Sequence, residues 1–60
     1  MIETRTDEGR IRIDETLIMY VEEERTGSAN ILSSIVLKGD TGRIYLTEDY
    51  DTVCAKIDAA

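Results

Sequence analysis

The stretch that decides the fold is residues 35–57, which read IVLKGDTGRIYLTEDYDTVCAKI. Two short apolar segments flank a turn that contains Gly39 and Gly42. This pattern predicts a β-hairpin, because glycine tolerates the positive φ angles that tight connections require. In the second segment we expect Ile44 and Leu46 to point inward, since side chains alternate along a strand.

A C-terminal helix is predicted directly after the hairpin. Thr47 has the residue type of an N-cap, whose side-chain oxygen accepts a hydrogen bond from a free N–H of the first turn. One helical face carries an apolar stripe with the spacing i, i+3, i+4, i+7: Tyr50, Val53, Cys54 and Ile57. Lys56 lies near the end of the helix, where a cation is favoured by the helix dipole.

Further strands are predicted upstream. Three segments have the pattern of short strands: residues 2–6, 10–14 and 17–21. The first strand of the hairpin extends back to residue 31 and so covers residues 31–37. Ile11 and Ile13 should face inward and the neighbouring arginines outward. Residues 7–9 form a turn signal, and residues 26–30 are the most loop-like stretch, where we expect the greatest mobility. The predicted fold class is α+β, mainly β: a single domain over residues 1–60, with an antiparallel meander of four or five short strands, either open or closed into a small barrel, and a C-terminal α-helix.

Composition restricts the class of protein. The chain has 60 residues, a net charge of −6, one cysteine and no histidine or proline. Disulfides within the chain are excluded and a zinc site is disfavoured. An acidic surface repels nucleic acid and anionic lipid, no apolar run approaches the ~20 residues of a membrane span, and the N-terminus does not resemble a secretory signal. We therefore expect a cytoplasmic protein that binds neither nucleic acid nor membranes.

The sequence predicts no enzyme. Ser33 and Ser34 lack a histidine base, although a serine–lysine pair with Lys38 or Lys56 is an alternative. The turn at residues 38–42 joins two predicted strands, whereas a phosphate cradle would open onto a helix. Cys54 lies on the apolar stripe, where we expect a buried, structural thiol. We predict no catalytic, cofactor or metal-binding residues.

Two acidic groups allow different interpretations. These are Glu22, Glu23 and Glu24, and then Glu48, Asp49 and Asp51. Their oxygen ligands suit Mg²⁺ or Ca²⁺, but the spacing of an EF-hand is absent. We favour solvated faces, with the second group also complementing the helix dipole.

The strand at residues 17–21 is apolar on both sides. Leu17, Met19 and Val21 alternate with Ile18 and Tyr20, and one helix covers only one face of a sheet. The second face must close into a barrel or pack against another copy. We predict a homo-oligomer, because a small chain gains stability from a shared core. The candidate self-association face consists of Ile18, Tyr20, Leu32 and Val36.

These features favour a non-enzymatic protein-interaction or regulatory module that self-associates and has a possible protein partner. One alternative is an acidic, phage-type inhibitor or nucleic-acid mimic of a host protein, with Glu22, Glu23 and Glu24 as its partner-binding residues. Another is a binder of small anionic ligands at subunit seams. Its candidate residues are Tyr20, Tyr45, Tyr50, Arg10, Arg12 and Arg43.

The order of strands, turns and helix also resembles the small FlbD-like proteins of bacteria, and similar short reading frames occur in phage genomes. The resemblance is carried by Gly9, Ile11, Ile13, Ile35, Leu37, Gly39, Ile44, Leu46, Glu48, Tyr50, Val53, Lys56 and Ile57. It implies a small sheet or barrel-like module, tied in some members to flagellar or swarming regulation, with no catalytic residues. The chain departs from the pattern in a longer acidic loop at residues 22–30 and in lacking an asparagine near residues 14–16.

Overall fold

A computed structural model describes residues 1–25, 27, 30–40 and 42–60. It contains five short strands and one C-terminal helix: β1 Ile2–Thr6, β2 Gly9–Ile13, β3 Ile18–Glu23, β4 Ser33–Leu37, β5 Arg43–Leu46 and α1 Tyr50–Ala59. The strands form two antiparallel sheets, β1–β2 and β3–β4–β5. The predicted fold class is confirmed, but the described strands do not close into a barrel.

The β1–β2 hairpin follows the alternation of its sequence. Ile2 and Thr4 are buried, while Ile11 and Ile13 are half-buried and pack against the core. The turn enters β2 through Gly9, whose φ of 131° lies in a region that favours glycine. The predicted strands, the turn between them and the inward isoleucines are therefore confirmed.

The three-stranded sheet differs from the predicted register at β3. Leu17 belongs to a 3-10 turn, Glu15–Leu17, and the strand begins at Ile18. A bulge between Ile18 and Tyr20 shifts the alternation. As a result Ile18 and Val21 both pack against the core. The prediction that these two residues occupy opposite faces is wrong, because the bulge adds one residue to the strand.

The β4–β5 hairpin forms as predicted, although β4 begins at Ser33 rather than at residue 31. A 3-10 turn, Lys38–Asp40, follows β4, and Gly39 adopts a φ of 75° there. Gly42 has a φ of 124°. The remaining residue of the connection, Thr41, and most of the predicted loop at residues 26–30 lie outside the described residues.

The helix begins two residues later than an N-cap at Thr47 would require. Asp49 occupies the N-cap position, and its side chain makes no capping hydrogen bond. The backbone N–H of Thr47 instead donates to the carbonyl of Arg5 at 2.9 Å. The N-cap prediction is wrong because this segment joins the two sheets before the helix starts.

The core lies between the three-stranded sheet and the helix. Ile35, Leu46 and Val53 are fully buried. Half-buried apolar residues pack around them: Ile11, Ile13, Ile18, Val21, Leu37, Ile44 and Ile57. The prediction of the helical stripe is therefore confirmed at two of its four positions, Val53 and Ile57. Cys54 is half-buried and Tyr50 is exposed, so burial of the thiol is less complete than predicted.

We expect Leu46→Ala to lower the free energy of unfolding by about 2–5 kcal/mol, because it leaves a cavity in a fully buried site. Leu17→Ala removes the same atoms from a side chain that is 53% exposed. That control should change the free energy by about 0.5 kcal/mol or less. Urea denaturation followed by circular dichroism measures both. Equal losses would contradict the assigned core.

Candidate functional site

A polar junction around Glu48 joins the hairpin, the three-stranded sheet and the helix. The hydroxyl of Thr4 donates to Glu48 Oε1 at 2.6 Å, and Lys56 Nζ lies 2.7 and 2.8 Å from the two carboxylate oxygens. The hydroxyl of Ser33 donates to the Glu48 carbonyl at 2.7 Å. Lys56 also donates to the carbonyl of Glu3 at 2.9 Å. We call Thr4, Ser33, Glu48 and Lys56 the Glu48 junction.

The junction is structural in character. Thr4 and Ser33 are buried, and a buried hydroxyl needs a hydrogen-bond partner. Burial of Glu48 favours its neutral form, but the hydrogen bonds from Lys56 and Thr4 outweigh that effect and lower the pKa of the carboxyl group. Glu48 is therefore ionised at neutral pH and holds three elements together.

This pKa shift makes the stability of the protein depend on pH. The pKa of Glu48 is lower in the folded chain than its ordinary value of 4.5. Its contribution is therefore complete above that value and is lost as the pH falls through the folded pKa. At neutral pH we expect Glu48→Gln to lower the free energy of unfolding by about 1–3 kcal/mol.

The measurement is a series of denaturation curves between about pH 7 and pH 3. The curves of wild type and Glu48→Gln should converge on acidification, because protonated Glu48 is also neutral. Asp58→Asn, a neutralised exposed acid on the same helix, serves as the control and should run parallel to wild type. A constant gap between wild type and Glu48→Gln would contradict the assigned role.

The second feature is the outer face of the three-stranded sheet, opposite the core. Register places Tyr20 beside Val36 and Val36 beside Arg43 in one row across the strands. The next row contains Glu22, Ser34 and Tyr45. Leu32 precedes β4 on the same side by alternation, and its N–H donates to the Leu46 carbonyl at 3.0 Å.

Arg43 organises the polar part of this face. Its Nη1 lies 2.6 Å from Glu22 Oε1, 2.8 Å from Ser34 Oγ and 3.4 Å from Glu24 Oε2. The hydroxyl of Ser34 donates to Glu24 at 2.8 Å. The hydrogen bond with Glu22 raises the pKa of Arg43, so the guanidinium stays charged. The polar centre of the face is thus satisfied within one chain.

An apolar and aromatic set surrounds this polar centre. Tyr20, Leu32 and Tyr45 are 44%, 41% and 50% exposed, and Val36 is half-buried. We call Tyr20, Leu32, Val36 and Tyr45 the tyrosine face. Three of the four residues predicted for self-association lie here. The fourth, Ile18, packs against the core instead, because of the bulge in β3.

The predicted acidic site is divided by the structure. Glu22 and Glu24 bind Arg43, and the side chain of Glu24 is only 13% exposed. Glu23 pairs with Arg25 at 3.1 Å, and alternation places it on the opposite side of β3 from Glu22. The three side chains do not form one continuous acidic surface, and a partner for them stays a prediction.

The other candidate groups take part in local contacts. Both hydroxyls of the Ser33–Ser34 pair donate hydrogen bonds within the chain. A hydrogen bond with Cys54 raises the pKa of the Tyr50 phenol. No group of three or more histidine, cysteine, aspartate or glutamate residues suited to a metal ion occurs in the part of the chain that the structure describes.

Sequence reasoning did not identify the Glu48 junction. One signal was present: Thr4 shares its strand face with Ile2, so the pattern placed a hydroxyl inside. Its partner is 44 positions away in the sequence, and no local pattern predicts such a pairing. The Arg43 network was missed for the same reason, because its contacts depend on the register between strands.

Comparison with known proteins gives no further identification. No protein family, curated protein or solved structure matches this chain. The resemblance to FlbD-like proteins therefore stays a prediction. Among the described residues, no helix is long and apolar enough to cross a membrane.

Proposed function

We propose that this chain is a non-enzymatic interaction module that self-associates through the tyrosine face. The observation that carries this proposal is the exposure of Tyr20, Leu32 and Tyr45 on the side of the sheet away from the helix. Exposed apolar and aromatic residues gathered on one face, around a polar centre, are typical of a contact surface.

The occupant we propose is a second copy of the chain. Among the described residues, the fully buried apolar core consists of three side chains, Ile35, Leu46 and Val53. A domain this small gains stability by sharing apolar surface. The monomer exposes 4077 Å². A standard interface takes about 800 Å² per partner, roughly one-fifth of that surface. One face of the sheet can supply much of this area.

The polar centre of the face is compatible with burial between two copies. Arg43 is already paired with Glu22 and Glu24, and Ser34 is already hydrogen-bonded. Each of these charged groups therefore keeps a partner on docking, although one guanidinium facing two carboxylates leaves a net charge of −1 per copy. A twofold arrangement would bring the same face of each copy together.

The net charge of −6 opposes this association, since two acidic copies repel each other. Salt screens such repulsion. Self-association through an apolar face should therefore strengthen as ionic strength rises from about 0.05 M to 0.5 M. An increase of affinity with salt distinguishes this association from an assembly held by ion pairs, because salt weakens ion pairs.

The test is sedimentation equilibrium with two matched double variants. Leu32→Ser/Tyr45→Ser removes one leucine and one tyrosine from the tyrosine face, and we expect at least a tenfold weaker association, or about 1.4 kcal/mol. Leu17→Ser/Tyr50→Ser removes the same side chains from exposed positions elsewhere and should leave association unchanged. A monomeric wild type at every salt concentration, or equal losses in both variants, would overturn the proposal.

The two alternative functions receive less support. An inhibitor that presents Glu22 and Glu24 to a basic partner must first release them from Arg43. A small-anion site would use Arg43 beside Tyr20 and Tyr45, but its guanidinium is occupied by those carboxylates. Arg10 and Arg12 lie on the other sheet.

A further inference from the structure

Positive charge is concentrated on the outer face of the β1–β2 hairpin. Glu3, Arg5, Arg10 and Arg12 are all exposed there, on the side away from the inward isoleucines. Their formal charge is +2. The four remaining bases and twelve remaining acids give the rest of the chain a charge of −8. The strand positions of this face are therefore net basic, although the exposed acids Asp7, Glu8 and Asp14 lie at the ends of the same two strands.

Folding explains only part of the arrangement of these charges, in that Arg12 lies directly opposite Glu3. Arg5 lies directly opposite Arg10, and like charges in that position destabilise a strand pair. The nearest carboxylate, Glu3, is 3.8 Å from Arg10, a long ion pair between two exposed side chains. Neither Arg5 nor Arg12 makes an ion pair within the described ranges. Arg5 contributes only a distant field that helps to lower the pKa of Glu48.

The strand that carries two of these arginines is the open edge of its sheet. β2 pairs with β1 alone. Among the described residues, no backbone hydrogen bond from outside this hairpin reaches β2. A two-stranded sheet has little stability by itself. Ile11 and Ile13, on the inner side of the same strand, are only half-buried. The edge therefore offers free backbone groups, partly open apolar side chains and positive charge together.

We propose that the outer edge of β2 binds an extended segment of a partner protein in which acidic and apolar residues alternate. Added as a strand, such a segment would satisfy the free backbone groups of β2. Its acids would lie beside Arg10 and Arg12. Alternate residues are about 7 Å apart along any strand, so the spacing of the acids matches that of the arginines. Its apolar residues would lie beside Ile11 and Ile13 and extend the core.

Charge selects this occupant over the other candidates. A second copy of β2 would place arginine near arginine, so the edge disfavours pairing with itself. A long nucleic acid would also meet the remaining −8 of the chain. A short acidic strand beside β2 would lie next to Arg10 and Arg12, with Glu8 and Asp14 just outside the two ends of β2. Arginine suits this role because its planar guanidinium binds a carboxylate through two parallel hydrogen bonds.

The test uses fluorescence anisotropy of labelled seven-residue peptides with the intact protein. The first peptide alternates glutamate and valine, and the second has the same composition with the glutamates grouped together. The third peptide is the alternating one with N-methylated valines. The methyl groups remove the backbone N–H donors along one edge of the peptide strand. A seven-nucleotide oligothymidylate is the rival ligand. Titrations at low and at moderate salt complete the series, because pairing with arginine weakens as salt rises.

Two double variants with equal loss of charge complete the design. Arg10→Gln/Arg12→Gln should weaken binding of the alternating peptide at least tenfold, and Arg25→Gln/Lys38→Gln less than twofold. The grouped and the methylated peptides should bind at least fivefold more weakly than the alternating one. Any of four results would overturn the proposal. These are no binding at low salt, equal binding of all three peptides, equal loss of binding in both variants, and tighter binding of the oligothymidylate. Because the tyrosine face is untouched, self-association stays a separate result.

Discussion

The contact on which the rest of the structure depends is the set of hydrogen bonds around Glu48. The two sheets share no strand, and the described backbone hydrogen bond between them is the one from Thr47 to Arg5. Glu48 follows directly and binds Thr4 on the hairpin and Lys56 on the helix. Such partly buried, charge-assisted hydrogen bonds are stronger than neutral ones. They hold the hairpin to the core together with the apolar contacts of Ile11 and Ile13.

This arrangement determines which surfaces are left for binding. The helix and the Glu48 junction lie on the core side, so the opposite face of the three-stranded sheet keeps exposed tyrosines around the Arg43 network. The hairpin, attached through β1, leaves the edge of β2 free and its arginines outward. The two surfaces differ in chemistry, and salt should affect them in opposite directions. The two proposed contact surfaces therefore share no residue.

Local patterns in the sequence were sufficient to predict the strands, the glycine turns, the helix and the inward positions Ile11, Ile44 and Leu46. These predictions succeeded because side-chain alternation and glycine conformation depend on residues that are close in the sequence. The start of the helix, the bulge in β3 and the absence of a closed barrel depend on contacts between distant residues. The bulge moved Ile18 from the predicted association face to the core. For the basic hairpin face, the sequence predicted only that the arginines of β2 point outward. The pairing of Arg5 with Arg10 across the two strands became known from the structure.

The Glu48 junction holds the hairpin to the rest of the molecule. Native-state hydrogen exchange by NMR, in wild type and in Glu48→Ala, tests it most directly because exchange reports local opening. We predict that amides of β1 and β2 lose protection in the variant by at least tenfold more than amides at Ile35 and Val36 in β4. An equal loss in both sheets, or unchanged protection in the hairpin, would contradict the account.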